Sequence, residues 1–298
     1  MRIRTAVPED AAEVVALRAV VHPYLVRGIE STRRMITEPP PGEEWTAFVA
    51  EVDGRVVGWA SAYRNTQTSA PDLGEIALLH VHPEHRGRGA GHALLDAALD
   101  HLRSIGARRV LTTARSEGLP FAHRHGFTPS REVRYSALDL RPVPPMPQPP
   151  PGVRLLSAAQ VDPRALYRLD ATASPDVPGD VPVDAMSYES WQHDVWHNPG
   201  FDREASTVAE TAGTLVALSL VKRDGDRMWS EFTATLPQHR GRGLARLTKQ
   251  AALHLAATRG VRTAYTSNDE ANAPMLAVND RLGYRPVASQ WSCLRELT

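Results

Sequence analysis

Two short runs in this 298-residue chain have the composition of a phosphate cradle: HRGRGAG at residues 85–91 and HRGRGLA at residues 239–245. Glycines let a backbone turn sharply with its N–H groups facing inward. A helix starting there would add four unpaired donors and the positive end of its dipole. Such a loop suits a phosphate or diphosphate. Spacing decides which kind of loop it is. A P-loop needs GxxxxGK[ST], which neither run supplies, and a dinucleotide fingerprint needs GxGxxG, where His92 and Arg246 occupy the third glycine's place. Both runs satisfy [QR]xxGx[GA], with Arg86, Gly89 and Gly91 in one and Arg240, Gly243 and Ala245 in the other.

The elements that position these loops are themselves repeated. Sliding the chain by 154 residues lays Pro83, His85, Arg86, Gly87, Arg88 and Gly89 on Pro237, His239, Arg240, Gly241, Arg242 and Gly243. The same offset then aligns Ala97, Ala98 and Leu99 with Ala251, Ala252 and Leu253, and Gly106 with Gly260. A single inserted residue would rotate every later helical side chain by ~100°, so an ungapped match through loop and helix implies duplicated supersecondary structure. Each half opens with a strand (residues 2–6; 153–156), followed by helical segments and then by two β runs. The first pair turns at Asp53-Gly54, a type I′ signature, and the second near Ala212-Gly213. A strand leads into each loop, GEIALLHVHP or WSEFTATLP. After it, Leu94, Leu95, Ala98, Leu99 and Leu102 recur at helical spacing before Gly106, as do Leu244, Leu247, Ala251 and Leu255 before Gly260. A further strand (109–113; 263–266), a helix and a final hairpin complete each half. The expected fold class is α/β (α+β): two tandem domains, each a mixed, mostly antiparallel twisted sheet flanked by helices.

Length agrees, since about 150 residues per domain is the usual expectation. Residues 141–152, RPVPPMPQPPPG, hold seven prolines in twelve. Proline has no N–H and a fixed φ, so this stretch reads as an extended spacer between domains at 1–140 and 153–298. The 34 Lys+Arg balance the 34 Asp+Glu, which argues against a dedicated nucleic-acid binder, and all but Lys222 and Lys249 of the basic residues are arginine. The one cysteine, Cys293, allows no internal disulfide and reads as a packed thiol. No secretory or membrane-spanning run is present, so a cytoplasmic protein with no membrane partner is expected. His80 and His82 share a strand face but have no third ligand at a recognisable spacing, and no metal is expected.

The doubled [QR]xxGx[GA] loop, each copy after a β run, before an amphipathic helix and upstream of a Gly-aromatic pair (Gly126-Phe127; Gly283-Tyr284), resembles the acyl-CoA loop of the GCN5-related N-acetyltransferase superfamily. The resemblance covers nearly the whole chain as the tandem-domain type similar to mycothiol synthase. It implies acetyl-CoA, or another acyl-CoA, as the donor. The diphosphate would lie on Arg86, Gly87, Arg88, Gly89, Ala90 and Gly91, and on Arg240, Gly241, Arg242, Gly243, Leu244 and Ala245. The strand before each loop would part from its neighbour and pair with the pantetheine arm, which involves Val81 in one half and Ala234 and Leu236 in the other. A strand N–H would steady the oxyanion.

By the same resemblance a carboxylate near that strand takes the proton of the attacking amine, which points to Glu75 and Glu231. Many members also carry an Asn after the fifth strand and a Tyr four residues before the final Gly-aromatic pair. The first half has no such Asn, and Ala122 stands in the Tyr place. The second half has Asn268, Asn272 and Asn279, the last in the Tyr place, and an amide is no acid. A general acid is therefore unassigned in both halves. The second half also carries Tyr188 and Trp191 in the segment that lines the acceptor site in the superfamily, beside several acids. Aromatic walls with acids suit an amine. The resemblance thus points to an N-acyltransferase acting on a primary amine of a small molecule, with the C-terminal half active, the N-terminal half degenerate or regulatory, and the chain monomeric or homodimeric. Two alternatives stay open: a non-catalytic acyl-CoA-binding protein, and an aminoacyltransferase that draws on charged tRNA.

Overall fold

The computed structural model describes residues 1–70 and 72–297. In chain order the first elements are β1 (Arg2–Thr5), α1 (Ala11–Val21), α2 (Ile29–Thr37), β2 (Thr46–Val52), β3 (Arg55–Arg64), β4 (Leu73–Val81), α3 (Ala90–Ser104), β5 (Arg109–Ala114), α4 (Leu119–Arg124) and β6 (Thr128–Asp139). They repeat as β7 (Val153–Ser157), α5 (Pro163–Ala173), α6 (Tyr188–Trp191), β8 (Thr207–Thr211), β9 (Thr214–Asp224), β10 (Arg227–Thr235), α7 (Leu244–Thr258), β11 (Thr263–Asp269), α8 (Ala273–Leu282) and β12 (Arg285–Glu296). The chain forms two compact units, Met1–Val133 with Ser289–Thr298, and Arg134–Ala288.

In the first unit the strands run β1-β2-β3-β4-β5, followed by the end of β12 and the start of β6. β4 and β5 are parallel, while β1–β2, β2–β3, β3–β4 and β5–β12 are antiparallel. The second unit runs β7-β8-β9-β10-β11 and the end of β6, with β10–β11 the parallel pair. The mixed, mostly antiparallel α/β fold expected from the sequence is therefore present in both units. The hairpins behave as their turn residues require, with positive φ at Asp53 and Gly54 (51° and 75°) and at Ala212 and Gly213 (48° and 77°). One expectation fails. Each half ends in one long strand rather than a hairpin, because neither β6 nor β12 contains a glycine or a turn dipeptide at its middle.

The central helices do the packing. α3 buries Leu94, Leu95, Ala98, Leu99 and Leu102, most of them in a cluster with Ile76, Val110, Phe127 and Cys293, and a buried Leu side chain contributes about 1.5–3 kcal/mol. Gly74 leaves room for Leu102, whose Cδ2 would stand 2.7 Å from an added Cβ. α7 buries Ala251, Ala252, Leu253 and Ala256 in the second unit. Residues 141–152 form neither helix nor strand and belong to that unit, where Gln250 Nε2 donates to the Pro145 carbonyl at 3.3 Å and His254 Nδ1 lies 2.7 Å from the Pro144 carbonyl. No helix among the described residues is long and apolar enough to cross a membrane.

Candidate functional site

The two glycine loops share one backbone conformation. Arg86 and Arg240 are extended (φ −69°, ψ 162°; φ −67°, ψ 164°), and Gly87, Gly89, Gly241 and Gly243 lie at φ +72°, +86°, +74° and +76°. Gly89 and Gly243 are the N-caps of α3 and α7, so the first-turn N–H groups of both helices open onto the loops. Arg86 Nε donates to the Val81 carbonyl and Arg240 Nε to the Thr235 carbonyl, each at 3.1 Å. These arginines brace loop against strand, and Arg240 also pairs with Asp176. Ala90 and Leu244 are buried beneath, so only their main chain can meet a ligand. A Cβ added at Gly87, Gly89, Gly241 or Gly243 would meet nothing within 4 Å. That open space, ringed by main-chain donors and exposed Arg88 and Arg242, fits a diphosphate.

Each strand before a loop parts from its parallel neighbour. β4 pairs with β5 only from Leu73 to Ile76, and β10 with β11 only from Arg227 to Trp229. Val81 and Ala234 lie beyond those points, with Leu236 just past the end of β10. On the other side of the same strands a bulge appears in both units. β4 slips against β3 between Ala77 and His80, with Leu78 left-handed at φ 57°, and β10 slips against β9 so that Glu231 is the extra residue. Bulges re-aim side chains and commonly adjoin sites.

In the first unit a cavity of about 520 Å³ runs from this loop into the parted strands. Six of its lining residues are Ile76, Leu95, Thr112, Ala114, Ala122 and Phe127. His80 also lines it. Its Nδ1 is held by the Leu78 carbonyl, an acceptor only, so the proton sits on Nδ1 and Nε2 keeps a lone pair with no hydrogen-bond partner. The His22 ring stands 5.3 Å away, edge-on, and His22 Nδ1 is 3.1 Å from the Tyr24 hydroxyl, to which Gln290 Nε2 donates. Burial, helped by Arg115 and Arg18, pushes His22 down to about 4, and burial, helped by His22 and Arg18, pushes His80 to about 3, so both are neutral at pH 7. His82 lies past β4 and accepts from the Glu84 N–H at 3.4 Å. Among the described residues no cluster of His, Cys, Asp or Glu could hold a metal ion.

The second unit answers those six positions with a polar set: Ser230, Lys249, Thr266, Asn268, Asn279 and Tyr284. Lys249 is 1% exposed. Its Nζ donates to Asn279 Oδ1 at 2.7 Å and to Thr266 Oγ1 at 3.4 Å, and lies 4.9 Å from the Tyr284 ring centroid. Asn279 Nδ2 donates to Asn268 Oδ1 at 2.6 Å, and Ser230 Oγ lies 3.1 Å from the Tyr284 hydroxyl. Desolvation lowers the Lys249 ammonium to about 7 and raises the Tyr284 phenol. Asn268 and Asn279, both expected from the sequence, are brought together here. Asn272 is not among them, because its side chain caps α8 by accepting from the Met275 N–H.

On the opposite face of the parted strands stand the carboxylates. Glu75 accepts from Asn65 Nδ2 at 3.3 Å, and burial raises its carboxyl above the usual range against hydrogen bonds from Tyr63 and Asn65. Glu231 accepts from Lys222 Nζ at 2.7 Å. Asp170 on α5 is buried. It accepts from Trp191 Nε1 and from Ser174 Oγ, both at 3.0 Å. Burial, reinforced by the Glu231 charge, holds the Asp170 carboxyl above its usual range despite those two hydrogen bonds. Trp191 has no exposed surface and packs with Leu166, Leu169 and Val208. Tyr188 stacks on it at 6.2 Å and is half-exposed, with Arg164 4.3 Å over its ring. Of the two aromatic candidates Tyr188 faces outward and Trp191 backs it.

Lys249, Asp170, His22 and Lys222 were not singled out as site residues from the sequence. A signal existed for one of them: the 154-residue offset puts Lys249 in register with Leu95, a charge on the buried stripe of a helix.

The sequence matches the Acetyltransferase (GNAT) family over residues 20–127 and again over 165–284. It is 31% identical over 230 residues to mycothiol acetyltransferase of Thermobispora bispora, a match that covers 73% of this chain and 74% of that protein. Similar folds include the GCN5-related N-acetyltransferase of Sphaerobacter thermophilus, with TM-score 0.74, 23% identity and coverage of 99% and 95% of the two chains. Another is a tandem GNAT protein from the clavulanic acid biosynthesis pathway, with TM-score 0.76, 21% identity and coverage of 99% and 98%.

Proposed function

Because the chain belongs to the GNAT acetyltransferase family, we propose that it moves an acetyl or other short acyl group from CoA to a primary amine of a small molecule by direct transfer, in the unit Arg134–Ala288. The observation that carries this reading is the position of Glu231: the bulge residue of the parted strand, within electrostatic reach of a second carboxylate, Asp170. Two carboxylates in electrostatic contact suit an ammonium group and give its proton somewhere to go. Lys222 pairs with Glu231 at 2.7 Å, a place that a substrate ammonium would take. When bound, acyl-CoA supplies the activated carbonyl. The chain's own part is to hold the diphosphate at Gly241 and Gly243, to aim a strand N–H at the carbonyl oxygen, and to take the amine's proton at Glu231.

The first unit supports a different part. Its loop and cavity fit the same donor, but Glu75 on its parted strand is tied to Tyr63 and Asn65, and the imidazole of His22 near that strand is neutral and lies by Arg115 and Arg18, a poor setting for an ammonium. It is read as an acyl-CoA-holding, regulatory unit. Replacing Glu231 by Gln is expected to lower kcat/KM with amine acceptors about 10²–10⁴-fold while the affinity for acetyl-CoA stays within a few-fold. Stopped-flow thiol release together with equilibrium titration checks this, and an unchanged rate removes Glu231 as the base.

A further inference from the structure

The two units differ most at the six positions shared by the first unit's cavity and the second unit's polar set. Ile76, Leu95, Thr112, Ala114, Ala122 and Phe127 line open space beside the glycine loop. Their counterparts Ser230, Lys249, Thr266, Asn268, Asn279 and Tyr284 are in contact with one another in the second unit. The matches for α7 and β11 follow from the ungapped offset and from equal registers, Leu73 on Arg109 and Arg227 on Thr263. The match for Asn279 follows from the helix ends, where Phe127 N donates to the Ala122 carbonyl and Tyr284 N to the Asn279 carbonyl. A buried lysine costs several kcal/mol to keep charged unless it is paired, and lysine is almost never fully buried without a partner.

Lysine also fixes a polarity. An ammonium has only donors, so Asn279 must turn its Oδ1 toward Lys249 and its NH₂ away. One N–H of that NH₂ goes to Asn268 Oδ1, which in turn leaves the Asn268 NH₂ as a donor. Both amides stand at positions whose counterparts in the first unit, Ala122 and Ala114, line its cavity. We propose that Lys249 is a positioning residue for departure of the CoA thiolate in the second unit: by orienting Asn279, and through it Asn268, it presents N–H donors to the sulfur. This rests on the reading that the second unit performs the transfer.

The step balances simply. The amine nitrogen bonds to the acyl carbon, the C–S bond breaks with its electron pair passing to sulfur, the amine's proton goes to Glu231, and the Asn279 and Asn268 N–H groups steady the sulfur's charge until water protonates it. No general acid is then needed, which accounts for the absence of a tyrosine at position 279. Around Lys249 Nζ, β11 presents Thr266, α8 presents Asn279, and the segment after α8 presents Tyr284, whose phenol burial keeps protonated. The charge that fixes the amide is Lys249's own, and it is held near its titration point at about 7, so the donors are set most firmly at and below neutral pH.

The test compares Lys249→Met, Asn279→Leu and the double variant with wild type. Met should fold, since Leu occupies the same place in the first unit. One readout is the thiolate ultraviolet absorbance of bound CoA against pH, which needs no turnover. The wild type is expected to ionise bound CoA at least about one pH unit below either single variant. The second readout is kcat, expected to fall about 10–100-fold in each single variant with KM for acetyl-CoA within about three-fold, and no further in the double variant, because the two residues act as one. Additive losses, or an unshifted thiol titration in Lys249→Met, overturn the proposal, and if that variant does not fold, an unshifted titration in Asn279→Leu does so. Companion variants separate the two levels. If Gly243→Leu abolishes turnover while Lys249→Met changes nothing, the assignment of the reaction to the second unit stands and this proposal falls. If Gly89→Leu is the variant that abolishes turnover, both fall.

Discussion

Replacing Gly243 by leucine is expected to lower acetyl-CoA turnover by about 100-fold or more, while the same change at Gly89 leaves turnover within a few-fold of wild type. Gly243 caps α7 at φ +76°, and a Cβ there would meet no protein atom within 4 Å. The side chain would therefore enter the space that a diphosphate needs, not the protein interior. The left-handed backbone adds a strain of about 1–2 kcal/mol, too little to unfold a unit with this much buried helix. Gly89 is in the same geometry at φ +86°, so the two substitutions carry equal structural cost and differ only in which unit they disable. Amine-dependent thiol release measures the outcome. Loss of activity at Gly89 with survival at Gly243 would move the reaction to the first unit.

Trp191→Ala is expected to destabilise the second unit by about 3–5 kcal/mol in urea unfolding. The ring is fully buried, stacks on Trp196 at 6.0 Å, and its Nε1 holds the buried Asp170 carboxylate. Truncation leaves both a cavity and an uncompensated polar group. Tyr188→Ala, at a half-exposed position, should cost far less stability and act mainly on KM for the acceptor. A loss under about 1 kcal/mol for Trp191→Ala would mean that the ring belongs to a ligand surface and not to the core.

What could be read from the sequence follows from what leaves a local mark. Gly87, Gly89, Gly241 and Gly243 adopt the positive φ that the loop requires, and the Asp53-Gly54 and Ala212-Gly213 turns lie where glycine demanded them. The repeat was visible because a helix tolerates no insertion. The long strands β6 and β12 were not, because pairing of Ser292 with Thr113 across the sheet depends on partners far away in sequence. The ten C-terminal residues therefore join the first unit for reasons that no local pattern records. The network around Lys249 was half legible. Asn268 and Asn279 stand at recognisable places, but the lysine that orients them looked like one of two exceptions in an arginine-rich chain. Its meaning lies in its register with Leu95, and only packing shows that this register points inward. Asp170 was hidden for a similar reason: its partner Trp191 lies 21 residues away, across an irregular segment.

The claim on which the rest depends is that the glycine loops hold the diphosphate of CoA through their main chain. Calorimetric titration of acetyl-CoA into the wild type and into the Gly89→Leu/Gly243→Leu double variant tests it most directly. Saturable binding to the wild type, abolished in a double variant that still unfolds cooperatively well above the assay temperature, is the result expected. Equal affinity in both proteins, or no heat from any CoA thioester with the wild type, would contradict it.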